Sequence, residues 1–143
     1  MHRHQHRTSL ALLQFASYLA LATFACADEA PRVHSSAGVA YISGGIGAEE
    51  RSAMRQSSEL FNLRLTFAEE DSGAFLAGID VKVYGAGSTL LLDITSSGPL
   101  LYVRLPPGRY RLEAVHAGTT VSKRVTLPAQ GTRSLALQWP ASR

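Results

Sequence analysis

Beyond its first 27 residues the chain carries few groups suited to chemistry: two histidines, a run of three carboxylates, a glycine-rich turn, scattered serines and several arginines near tyrosines. His34 and His116 are far apart, with no cysteine beside them and no His-x-His spacing, so they do not form a zinc-ligand pattern. Solvated or strand-edge histidines are the expectation. Glu69, Glu70 and Asp71 could crowd around calcium, but the Asp-x-Asp-x-Asp-Gly register and its closing glutamate are missing. They read as a charged turn in water. Ser43-Gly44-Gly45-Ile46-Gly47 has glycines that can bring backbone amides to a phosphate. It lacks the Gly-Lys-Ser or Gly-Lys-Thr ending of a P-loop and the strand-turn-helix unit of a dinucleotide site, and reads as a structural turn. Ser96 and Ser97 sit in no Gly-x-Ser-x-Gly elbow and have no nameable base. An isopeptide bond needs a buried lysine beside a buried acid, whereas Lys82 and Glu113 fall on the outward sets of their strands. These readings predict no catalytic centre, no cofactor and no metal.

What remains is a surface. Tyr102, Arg104, Arg109, Arg111 and Glu113 alternate outward around one turn, and they mix aromatic and guanidinium groups of the kind enriched at binding hot spots. The expectation is that they share one face and meet a protein partner, whose identity the sequence does not give. The plainer alternative is the ordinary wet face of an antiparallel sheet.

The segment that must position these residues is Leu105-Pro106-Pro107-Gly108-Arg109-Tyr110-Arg111-Leu112. Two prolines fix φ and remove amide donors, so the strand before them cannot run through. Gly108 suits a tight turn. Tyr110, Leu112 and Ala114 then point one way while Arg109, Arg111 and Glu113 point the other, the period of a half-buried strand. A hairpin is predicted here. Similar alternation runs through Phe61–Phe67, Ile79–Tyr84, Leu90–Thr95, with Leu90, Leu92 and Ile94 inward, Leu101–Leu105, Val121–Leu127 and Leu135–Trp139, separated by Gly, Pro and Ser. Seven short strands at this spacing predict an antiparallel sandwich, with an open barrel less favoured. Val39–Ile42 could add a short strand. Ala48–Glu59 reads as a surface helix, with Glu49 and Glu50 in its first turn, Arg51 and Arg55 further along and a thin apolar side.

The chain opens with His2, Arg3, His4, His6 and Arg7, followed by an apolar stretch from Leu10 to Phe24 and by Ala25-Cys26-Ala27, the three parts of a secretory signal. The apolar stretch falls short of the roughly 20 residues that span a bilayer and contains Gln14 and Ser17. Cleavage after Ala27 is expected. Lipid attachment at Cys26 is the rival, with Thr23-Phe24-Ala25 a poor lipobox. The single cysteine leaves with the signal, so the mature chain has no disulfide and rests on packing. Of 14 basic residues, losing Arg3 and Arg7 leaves 12 against 11 acidic ones, and the near balance offers no basic stripe for nucleic acid. The expected layout is a signal at 1–27, a flexible leader and glycine turn at 28–46, a helix at 47–59 and a β domain at 60–140. No membrane span is expected after cleavage, and the oligomeric state is not readable.

Gly78-Ile79-Asp80-Val81-Lys82-Val83, the Pro107-Gly108-x-Tyr110-x-Leu112-x-Ala114 core, Gly118 and Leu135-Ala136-Leu137 together resemble a carboxypeptidase regulatory-like domain. That resemblance implies a mainly β fold, a seven-stranded antiparallel transthyretin-like or Ig-like sandwich with one short N-terminal helix. Ser43–Glu50 and Phe61–Ala68 are similar to small exported bacterial proteins of this group. The resemblance further implies a non-catalytic structural or protein-interaction module of the bacterial envelope, and the N-terminal signal makes it periplasmic or secreted. Fold carries no reaction with it. Hydroxyisourate hydrolases of this fold end in Tyr-Arg-Gly-Ser, and this chain ends Gln138-Trp139-Pro140-Ala141-Ser142-Arg143 instead. A small-ligand binder or transthyretin-like hydrolase, with a pocket between helix and sheet, is the alternative.

Overall fold

The computed structural model describes residues 30–141, so the signal segment, with Cys26 and the expected cut after Ala27, lies outside the described residues. Nine strands and one α-helix follow in the order β1 (His34–Ser36), β2 (Val39–Gly44), α1 (Ala48–Gln56), β3 (Leu63–Glu69), β4 (Asp80–Tyr84), β5 (Leu90–Thr95), β6 (Leu100–Arg104), β7 (Gly108–His116), β8 (Thr119–Leu127) and β9 (Arg133–Trp139). They build a five-stranded sheet ordered β1-β2-β6-β3-β9 and a four-stranded sheet ordered β5-β4-β7-β8. All pairs are antiparallel except β3 with β9.

Period-two alternation is the cause of this arrangement. In β4, Val81 and Val83 are fully buried while Asp80 and Lys82 are exposed. In β7, Tyr110, Leu112 and Ala114 face the same interior. Leu63, Leu65, Phe67, Leu101, Val103 and Leu137 reach it from the five-stranded sheet, so the inner faces of the two sheets share one core. The outer face of the five-stranded sheet is apolar as well. Ile42, Leu100 and Tyr102 form a second buried cluster there with Met54 of α1 and Phe61. The helix therefore covers that face through a single buried side chain of its own, in keeping with its thin apolar side. Glu50 reaches back to accept from the Ile46 amide at 3.0 Å, serving a donor that the helix start leaves unpaired. A Cβ on Gly44 would stand 2.2 Å from that carboxylate, so a larger residue there would push the Glu50 side chain aside.

Several expectations are corrected. Nine strands form, not seven: the short strand expected at Val39–Ile42 is present as β2, and the stretch expected as flexible leader contributes β1, the two zipping around Ala37 (φ 49°) and Gly38 (φ 81°). Positive φ at both central residues marks the two-residue turn whose twist matches paired strands. The helix stops at Gln56, and Ser58–Leu60 tightens into a 3-10 turn, since serines compete for backbone partners and weaken a helix end. Leu90 faces outward, 45% exposed, because a register shift at Val83/Tyr84 pairs Tyr84 with Leu90 and lets Leu91 pack on the core.

The largest correction concerns the predicted hairpin. β6 pairs with β2 and β3, and β7 pairs with β4 and β8, so Leu105–Pro107 carries the chain from one sheet to the other. The prolines explain why: without amide donors the segment cannot extend either ladder. Side chains meet both backbone groups of Leu105 and the carbonyl of Pro106. Asn62 donates to the Leu105 carbonyl at 2.6 Å and accepts from the Leu105 amide at 2.9 Å. The Tyr110 hydroxyl donates to the Pro106 carbonyl at 2.5 Å. Among the described residues no helix is long and apolar enough to cross a membrane.

Candidate functional site

The crossover divides the five expected surface residues. Tyr102 and Arg104 lie on β6, on the outer side of the five-stranded sheet. Arg109, Arg111 and Glu113 lie on β7, on the outer side of the other sheet. Tyr102 is only 5% exposed, packed at 6.5 Å against the Phe61 ring beneath α1. Arg104 is exposed, yet its guanidinium donates to the Leu60 carbonyl at 2.9 Å and pins the 3-10 turn. The single face inferred from alternation does not exist, because alternation gives sides of a strand and not which sheet the strand joins.

Among the described residues no α-helix lies over the four-stranded sheet. Across its outer side, Leu90, Tyr84, Arg111 and Arg124 form one row of neighbours. The Arg111 guanidinium carbon sits 4.2 Å from the centroid of the Tyr84 ring, and the same group pairs with the Glu113 carboxylate. A cation stacked on a ring and tied to an acid has little freedom left, so Arg111 is a fixed platform. Arg109 and Arg124 flank it, their side chains making no hydrogen bond, ion pair or ring contact to other described residues. They are exposed.

The turn Gly85–Ser88 folds beside these arginines and makes one wall of a groove. Its cationic part, about 470 Å³, is lined by Gly85–Ser88, Arg109, Arg111, Arg124 and Thr126 above a floor of Tyr110 and Val125. A second part, about 340 Å³, shares Gly85, Ala86, Arg109 and Tyr110 and continues over Leu91, Pro107 and Gly108. Gly87 (φ 66°) and Ser88 (φ 59°) both hold positive φ, which keeps the turn tight, and nothing stands within 4 Å of a Cβ placed on Gly87. Among the described residues no Asp or Glu lines either part. Tyr110 in the floor has its phenol pKa pushed above the ordinary 10.0 by burial, so it is a neutral donor to Pro106 and not a base.

A larger cleft, about 710 Å³, opens at one end of the five-stranded sheet between Gly38, Glu59, Arg64, Arg104 and the Pro128–Thr132 loop. Most of its polar groups already hold the fold. Arg64 donates to the Ser58 carbonyl at 3.0 Å, Arg104 to Leu60, and Asn62 to Leu105. The cleft is built from braces, whereas the groove on the other sheet offers two uncommitted cations.

The remaining candidates fall into structural places. His34 stacks on Tyr41 at 5.4 Å and His116 meets Trp139 edge-on at 6.1 Å. Among the described residues no three His, Cys, Asp or Glu side chains gather as for a metal. Ile46 of the glycine turn gives its amide to Glu50, and Gly45 and Ile46 give their carbonyls to Arg51 at 3.1 Å. The space between helix and sheet is filled by Ile42, Met54, Phe61, Leu100 and Tyr102. Sequence reasoning missed Arg124, Tyr84 and the Gly85–Ser88 wall. Arg124 was within reach: folding the chain at Ala117-Gly118 sets residue 111 opposite residue 124, as the structure pairs them. Compared with protein-family models and with curated proteins, the sequence gives no match to either.

Proposed function

We propose that the chain is a non-catalytic protein-interaction module, a β-sandwich of the transthyretin-like, carboxypeptidase regulatory-like kind that works after export in the bacterial envelope, periplasmic or secreted. The residue pattern of Gly78–Val83 and Pro107–Ala114 supports the fold kinship, and the three-part N-terminal segment supports export. One observation carries the interaction reading: α1 covers the outer side of one sheet, while on the other sheet the outer row has Leu90 and Arg124 exposed and Tyr84 and Arg111 half-buried, with no described helix over it. Tyrosine and arginine supply much of the binding energy where proteins meet. The test is affinity capture from envelope extracts with wild-type protein and with Tyr84→Ala/Arg124→Ala as bait. A partner retained by wild type and lost by the variant, with thermal unfolding of the variant little changed, supports the reading. Equal retention would sink it.

A second reading, small-ligand binding, draws on Arg64 in the larger cleft, whose Nε is buried without a hydrogen-bond partner. A compound that seats there raises the melting temperature of wild type but not of Arg64→Lys, because binding to the native state alone is stabilising.

A further inference from the structure

We infer that the groove between the Gly85–Ser88 turn and strands β7 and β8 receives an acidic peptide segment of a partner protein, with carboxylates on Arg109 and Arg124 and an apolar side chain over Ala86, Leu91 and Pro107. The inference rests on the interaction reading and names the chemistry of the partner. Charge complementarity points to an acidic occupant. Arg109, Arg111 and Arg124 line the cationic part, and among the described residues no carboxylate lines either part. Arg111 is occupied by Glu113 and Tyr84, so the cations left for a ligand are the outer two.

The order of surfaces along the groove points the same way. The cationic part passes into the one bordered by Ala86, Leu91 and Pro107, with Arg109 and Tyr110 shared at the junction. A compact anion such as inorganic phosphate could use the first part only. A chain with an acidic residue next to an apolar one uses both. Glu113, on the far side of Arg111, sets a limit: a partner carboxylate placed over it would be repelled, so the acidic groups belong toward Arg109 and Arg124. Because both arginines are exposed, binding should be fast, weak and sensitive to salt.

The probe is a fluorescein-labelled hexapeptide of alternating glutamate and leucine, titrated with the processed protein and followed by anisotropy. The expected result is saturable binding that weakens at least about tenfold between roughly 20 and about 300 mM salt. Arg109→Gln/Arg124→Gln should weaken it by a further factor of about ten, while Arg133→Gln, an exposed arginine on β9, leaves it unchanged. Amide shifts in the wild-type protein should gather at residues 85–91, 107–111 and 124–126. Binding that survives the double substitution, or that the lysine–leucine counterpart matches, overturns the inference. So does inorganic phosphate reproducing the full shift pattern, apolar part included. A partner captured through Tyr84 and Arg124 that ignores both salt and peptide overturns the acidic class while leaving the interaction reading intact.

Discussion

Asn62 shows how much one side chain can do where a strand changes sheets. Its amide satisfies both the N–H and the C=O of Leu105, which the following prolines leave without ladder partners. Asn62→Ala should lower unfolding free energy by about 1–3 kcal/mol, the usual cost of orphaning half-buried polar groups. Urea unfolding of the two proteins measures it. Tyr110 braces the same crossover through Pro106. Burial raises its pKa, so the folded state keeps the proton to higher pH than the unfolded chain does. The stabilisation is fully present below the ordinary value of 10.0 and is lost as pH rises through the folded pKa. Tyr110→Phe should cost about 1 kcal/mol near neutrality and should flatten the alkaline fall in stability. Unfolding curves at stepped alkaline pH would show whether that slope belongs to Tyr110.

At the level of elements, two turns are the same device. Ala37-Gly38 joins β1 to β2 and Ala117-Gly118 joins β7 to β8, each with positive φ at both residues. Alanine is poorly suited to that region, and asparagine is favoured at the first position of such turns. Ala117→Asn should therefore stabilise the protein by about 0.5–1 kcal/mol, seen as a rise in melting temperature. The turn at Ala117 was legible in the sequence, as were the inward sets of β3, β4, β6 and β7, because alternation records which side of a strand is buried. The turn at Ala37 carries the same dipeptide, but the polar, proline-containing stretch before it reads as leader, and β1 has only three residues. The Leu91 irregularity could not be read, since Leu90, Leu91 and Leu92 are chemically alike and only pairing decides which one turns inward.

For the molecule as a whole, sheet membership was the hidden variable. A strand pattern is identical whether the next strand lies beside it or across the core, so Arg104 and Arg111 looked like neighbours although they occupy opposite outer sides. Tyr102 misled for a related reason: β6 is buried on both faces, and its run Leu100–Val103 has no polar side to betray the helix above it. The same coverage predicts that a chain cut at the expected boundary, residue 60, does not fold by itself. A chain starting there loses Val39, Ile42 and Met54 from the two cores and leaves β6 without β2. It should show no cooperative thermal transition by circular dichroism, whereas a chain starting at Asp28 should. Finally, the one tryptophan of the sequence, Trp139, is 1% exposed at the end of β9, sits 6.1 Å from Phe67 on the neighbouring strand, and donates to the Thr119 carbonyl of β8 in the opposite sheet at 3.0 Å. Nature has thus placed a built-in fluorophore on the seam: its emission colour reports, with no added dye, whether the last segment has locked the two halves together.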